Sequence, residues 1–208
     1  MTAAVDDSAR AQVQVDLAKF SEKTYLTYLT RLTASKRLAA RNRAWNTSLI
    51  STAAASTISS VALLSDATIY GKTGPTLLVS VSILTLVISL VTSGIDYSGR
   101  SRDMFLNYRR IQTVSTDAER ASTTPSLQTQ AVLDELTSRY NGLLDESENH
   151  TSTDFARAIA ERGLTPSGPP VSVWSLRGER AVSFLPYLSL LIPLGLLIPV
   201  IVWIVSES

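Results

Sequence analysis

The side chains able to do acid–base chemistry are few and gathered in one place. The only histidine, His150, stands in Glu148-Asn149-His150, with Glu146 just before and Asp154 four residues after it. A spacing of four puts His150 and Asp154 on one helix face, as in a base held by a carboxylate. No nucleophile elbow, glycine-rich phosphate loop or zinc-ligand cluster accompanies them. The chain also lacks cysteine, which removes disulfides, thiolate metal sites and Cys nucleophiles together. A lone histidine without a nucleophile set beside it reads as structural, at a helix end or in an inter-helix hydrogen bond. The expectation is a protein that is not an enzyme and holds neither cofactor nor metal.

The second polar constellation is made of hydroxyls. Ser48, Thr52, Ser56 and Ser60 recur every four residues and so form one stripe along a helix. Ser82, Thr85, Ser89 and Ser93 repeat the pattern more sparsely. Small hydroxylated stripes suit close helix packing with hydrogen bonds across the contact. They also suit the lining of a watery path, where hydroxyls replace part of an ion's hydration. Both readings stand at this point.

Both stripes lie in stretches without charge. Ala44–Ser65, Thr73–Ile95 and Ala181–Ser206 contain no Asp, Glu, Lys or Arg, although charged residues make up 18% of the 208-residue chain. A helix needs roughly 20 apolar residues to cross a hydrocarbon core of about 30 Å. The fold class expected is therefore an all-α membrane protein: an N-terminal cytoplasmic helix (1–43), a transmembrane hairpin (44–95, with spans 44–66 and 75–95), cytoplasmic helices (96–165), a linker (166–180) and a third transmembrane helix (181–205). Asp66 reads either as a member of a cation-attracting ring or as a solvated helix terminus, with Gly71–Pro75 completing the turn. The third span carries Pro186, Pro193, Gly195 and Pro199, and reads as a kinked, lipid-facing anchor.

Basic residues crowd the approach to the first span (Lys36, Arg37, Arg41, Arg43), the exit from the second (Arg100, Arg102) and the approach to the third (Arg177, Arg180). The hairpin loop holds only Lys72. The positive-inside rule then places the N-terminus in the cytoplasm and the C-terminus outside. A net charge of +1 leaves no nucleic-acid footprint.

Ahead of the first span, Leu17, Phe20, Tyr25, Tyr28, Leu29 and Leu32 fall at helical spacing, as a stripe that packs on other helices or meets a partner. Asp96–Arg120 reads as a helix with Met104, Phe105, Tyr108 and Ile111 on one side. A second helix is expected over about Ser126–Ser147 and a third from Asp154 to Gly163. Val171–Arg180 reads as an irregular approach to the last span.

The run from Tyr140 to Phe155, including Leu143, Leu144, Glu148, Asn149, His150 and Asp154, resembles the SLATT family, as does Ala34–Arg43 leading into the serine-rich span. The resemblance covers residues 12–165, and the third apolar segment stands outside the two helices typical of that family. It implies a bacterial inner-membrane effector, associated with SMODS-type nucleotidyltransferases and SLOG-type nucleotide sensors. Such effectors form pores that arrest or kill the cell once a nucleotide-based alarm is raised. The partners implied are the lipid bilayer, further copies of the chain in a homo-oligomer, and a nucleotidyltransferase or nucleotide sensor. Tyr140, Leu143, Glu148, Asn149, His150 and Asp154 match the family's cytoplasmic motif. Arginine outnumbering lysine beside abundant Ala and Ser fits a high-GC bacterium. The alternative, from another functional class, is a non-conducting membrane anchor that recruits a cytoplasmic partner.

Overall fold

The computed structural model describes residues 2–163 and 173–207, and every element among them is helical. In chain order these are α1 (Thr2–Ser65), α2 (Gly74–Ile95), α3 (Tyr97–Thr123), α4 (Gln130–Asp145), α5 (Ser152–Glu161), α6 (Val173–Ser189) and α7 (Leu191–Glu207), with one 3₁₀ turn at Pro125–Leu127. Residues 8–65, 74–123 and 181–206 each contain a window long and apolar enough to cross a membrane. The chain forms two contact-defined units, Met1–Arg37 with Gly99–Ser172 and Leu38–Ser98 with Val173–Ser208.

The second unit holds the three apolar stretches. Ile50, Val61, Leu64, Leu86, Leu90, Leu194, Val202 and Val205 project from it, Leu64 with 88% of its surface exposed. In water such a surface would cost about 25 cal/mol per Å², whereas lipid tails solvate it. Its interior is small and polar by comparison. Ala55, Leu78 and Leu196 form the apolar centre. Around them Ser59 Oγ donates to the Leu196 carbonyl at 3.3 Å, and the Tyr70 hydroxyl reaches both Ser59 Oγ, at 2.7 Å, and that same carbonyl. Ser48 and Ser189 share a hydrogen bond between hydroxyls.

The hairpin turn is held locally. Asp66 Oδ1 accepts from the Thr68 amide at 2.8 Å and from its hydroxyl at 2.7 Å, which fixes the chain as it leaves α1. Gly71 takes φ +67°, and a Cβ on Gly74 would lie 2.7 Å from Tyr70 Cβ. Asp66 is thus the turn-forming residue of its reading as a helix terminus. At the other end of α2, Asp96 alone separates α2 from α3, with φ 47°.

The third apolar stretch departs from a single helix. α6 ends at Ser189, Leu190 donates back to the Tyr187 carbonyl, and α7 begins at Leu191. Pro193 cannot donate to the Ser189 carbonyl and its ring crowds it, so the break falls one turn before that proline. The irregular approach expected over Val171–Arg180 is helical from Val173 onward. Past Pro170 no proline stands before Pro186, and Leu, Arg and Glu favour helix there. Residues 164–172, and with them positions 166–172 of the expected linker, lie outside the described residues.

The first unit is built around Leu17, Phe20, Ile111, Val114, Ala118, Ala121, Leu136 and Tyr140. Leu17, Phe20 and Leu29 of the expected stripe are buried, while Tyr25, Tyr28 and Leu32 are half-buried. On α3 the buried row is Met104, Asn107, Ile111 and Val114, and Phe105 is turned out with its ring edge on Tyr108. One residue past Met104 is about 100° round a helix, so Phe105 cannot share that face. The helix expected over Ser126–Ser147 begins at Gln130, capped by the Thr129 hydroxyl on the Val132 amide.

Replacing Tyr70 with Phe removes, without changing shape, the two hydrogen bonds that tie the turn to Ser59 of α1 and to Leu196 of α7. Thermal unfolding in detergent should show a loss of about 0.6–1.7 kcal/mol per bond; an unchanged midpoint would show that Ser59 and Leu196 are satisfied without it.

Candidate functional site

The family-like motif and the hydroxyl stripes lie in different units. In the first unit, Asp154 is the anchor. It occupies the third position of α5, where Thr151 is the N-cap. The Thr151 side chain accepts from the Asp154 amide, and Asp154 Oδ2 accepts from the Thr151 amide at 3.1 Å. Its two carboxylate oxygens also receive Arg37 Nε at 2.7 Å and Nη2 at 2.9 Å, with the Asp154 side chain fully buried. A two-point guanidinium–carboxylate pair is the geometry best able to offset the desolvation of both charges.

This corrects the pairing of His150 with Asp154 on one helix face. Thr151 begins the cap, so His150 precedes α5 in extended chain and Asp154 is committed to Arg37. His150 Nδ1 is buried with no hydrogen-bond partner among the described residues. Burial first, then the Arg31 guanidinium, lower its pKa below the ordinary value, against a smaller opposing pull from Asp154. The inter-helix hydrogen bond expected of His150 does not form at Nδ1.

Tyr140 is buried, its ring edge-on to Phe20 at 5.6 Å and its hydroxyl 2.9 Å from Thr27 Oγ1. Lys23 Nζ lies 5.2 Å from the same ring centroid. The Leu143 carbonyl accepts from Asn107 Nδ2 at 2.6 Å. The Glu148 carboxylate receives Arg100 Nε at 3.0 Å, and its carbonyl accepts from Arg31. Asn149 is exposed. Motif residues Tyr140, Leu143, Glu148 and Asp154 therefore tie α4 and α5 to α1 and α3.

Arg31 was not singled out by its sequence context. It is among the largest fully buried side chains, with Nη1 bonded to Ser147 Oγ and to the Glu148 carbonyl at 3.2 Å, both uncharged acceptors. Its Nε and Nη2 have no partner among the described residues. A signal existed: Leu17, Thr24, Arg31 and Leu38 recur every seven residues, and all four are buried. That spacing keeps one seam of a helix facing its neighbours.

In the second unit the hydroxyls divide. Ser48 and Thr52 are buried, and Ser48 is bonded to Ser189. Ser56 and Ser60, with Ala53 and Thr57, face Ser82 and Thr85 across an open groove of about 390 Å³. Ser60 Oγ donates to the Ser56 carbonyl and Thr85 Oγ1 to that of Val81, so each is locally satisfied. Ser56 Oγ, although buried, has no partner among the described residues. Ser89 and Ser93 line a second groove of about 220 Å³ with Asn42, Asn46, Thr92 and Asp96. Each hairpin helix thus contributes polar groups to two unfilled grooves. Ser59 and Tyr70, which sequence reasoning passed over, carry the hydrogen bonds to α7 instead.

The model of SLATT_5, the SMODS and SLOG-associating 2TM effector domain family 5, matches residues 15–205. The match takes in the third apolar segment, so that segment is part of the family's extent and not an addition beyond residue 165. Neither the curated proteins nor the solved structures yield a match.

Replacing Asp154 with Ala removes the two-point carboxylate partner of the Arg37 guanidinium and the reciprocal cap of α5. Unfolding in detergent should show a loss of about 3–5 kcal/mol, much of it regained when Arg37→Met is added. For His150 the sign follows from its lowered pKa: the folded state binds fewer protons than the unfolded one below the ordinary imidazole value of 6.5. Stability contributed by neutral His150 is present above that pH and is lost as the pH falls from it toward the lowered value. A stability–pH profile of His150→Gln should lack that fall; an identical profile in both proteins would remove His150 as its cause.

Proposed function

The chain belongs to family 5 of the SMODS- and SLOG-associating effector domains, and from that premise we propose that it is an oligomeric pore-forming effector of a bacterial conflict system. In this reading copies of the hairpin assemble in the cell membrane, with the N-terminus cytoplasmic and the C-terminus outside. The first unit receives a nucleotide-linked signal or a partner carrying it, and permeabilisation then arrests or kills the cell.

The observation that carries the reading is the unfilled, hydroxyl-lined groove between α1 and α2. Ser56 Oγ is buried at the groove without a partner among the described residues, and the Ser60 and Ser82 hydroxyls, which donate within their own helices, keep acceptor capacity for a neighbouring protomer or water. α7 leaves that groove free, because it packs through Leu196 on Ala55 and Leu78. The third span serves here as an outer buttress. The basic residues that flank the spans at Lys36–Arg43, Arg100–Arg102 and Arg177–Arg180 support the orientation through the positive-inside rule.

The test is ion or dye release from liposomes, comparing the wild type with Ser56→Leu and Thr52→Leu at equal insertion. Ser56→Leu should slow release several-fold, because it puts an isobutyl group into the groove. Thr52→Leu, at a buried position, should act through stability as well. Equal release from all three would remove the hydroxyls from the mechanism. No release from the activated wild type would favour the non-conducting anchor.

A further inference from the structure

A cleft of about 350 Å³ opens in the first unit, lined by Lys19, Glu22, Lys23, Leu26, Thr27, Thr30, His150 and Phe155. That volume lies within the roughly 300–1,000 Å³ typical of small-molecule sites. We propose that this cleft binds a phosphate ester, its phosphoryl group held by Lys19, Lys23 and His150 and its organic part lying on Leu26 and Phe155.

Four features converge on an anion. Lys19 and Lys23 stand one helical turn apart on α1 and both reach the cleft, where Glu22 is the sole carboxylate of the lining. His150 lines the cleft, and its buried Nδ1 has no hydrogen-bond partner among the described residues. Arg31, the next residue along α1 after Thr30, is a buried guanidinium whose Nε and Nη2 have no acceptor among the described residues. The nearby acids are committed elsewhere, Asp154 to Arg37 and Glu148 to Arg100.

A buried guanidinium bonded, among the described residues, only to neutral oxygens is expensive, since no described carboxylate pairs with it. Its field is felt at the cleft wall, where it disfavours protonation of His150. An anion in the cleft would supply the missing charge to Arg31 and an acceptor to His150. The Thr27 and Thr30 hydroxyls donate within α1, to the carbonyls of Lys23 and Leu26, so they contribute shape and not donors. A phosphoryl group, with several acceptor oxygens, matches donors converging from α1 and from the turn before α5 better than a single carboxylate does. The room left over, walled by Leu26 and Phe155, fits an apolar or aromatic substituent. That such binding would switch the assembly rests on the proposed pore; the binding does not.

The experiment is calorimetric titration of the full chain, in neutral detergent, with AMP, inorganic phosphate and adenosine. AMP should bind more tightly than inorganic phosphate, adenosine should not bind, and the affinity should fall with added salt. Lys19→Gln and Lys23→Gln, both at exposed positions although Lys23 also lies over the Tyr140 ring, should each weaken AMP by about tenfold. If phosphatidylglycerol added to the micelles competes with AMP, the same phosphate ester is supplied by a lipid headgroup; if it does not, the source is soluble. Absence of heat with AMP and phosphate alike, or an AMP affinity equal in wild type and both lysine variants, overturns the site. Membrane flux plays no part in the readout, so a protein that conducts without binding AMP loses only this site, and one that binds without conducting loses only the pore.

Discussion

Hydrocarbon offers no hydrogen bonds, and that one constraint orders the second unit. Every amide and carbonyl of the uncharged stretches has to be satisfied by the chain itself, which makes each of them a helix. Where proline withholds a donor, the helix gives way: Pro193 ends α6 one turn earlier, and Leu190 turns back onto Tyr187. Serine and threonine then act as partners for exposed or shared carbonyls, as Ser59 and Tyr70 do at Leu196 and Ser189 does at Pro186. Close approach of helices is available only where side chains are small, which is why Ala55 sits at the centre of the packing.

The first unit answers the opposite problem, of charge taken out of water. Its buried row holds both apolar side chains and ionic ones, and the two are handled differently. Asp154 is fully satisfied, by a cap at one end of its hydrogen-bonding capacity and a guanidinium at the other. Arg31 is only partly satisfied, with two nitrogens that have no acceptor among the described residues. The motif residues Tyr140, Glu148 and Asp154 gain a common physical role from this contrast: they fasten α4, α5 and the turn between them to α1, through the Thr27 hydroxyl and the guanidinium groups of Arg31 and Arg37, and to α3 through Arg100. Surface ion pairs such as Arg139–Asp117 add little by comparison.

The two polar regions have different consequences for function. Unfilled grooves on the hairpin favour association with water or another copy, while the cleft beside His150 favours a small anion. Under the proposed function the two would be complementary, the first unit reading a signal and the second acting on the membrane.

Much of this was determined by the sequence alone. Exclusion of charge from three long stretches dictates helices that suit a bilayer, because no side-chain arrangement elsewhere can alter the cost of an ion in lipid. The Tyr140–Phe155 run was likewise legible as a motif, and the local turn at Asp66 follows from residue types within reach of one another. Tertiary structure decided which members of a periodic row meet a partner. Four evenly spaced hydroxyls look alike along the chain, yet Ser48 bonds Ser189 across 141 residues while Ser60 is left at an open groove. The spacing of His150 and Asp154 suggested a shared face, until a cap at Thr151 put the histidine outside the helix and Arg37, 117 residues away, claimed the carboxylate. Periodicity states which residues share a side; only the fold supplies the atoms that side will face.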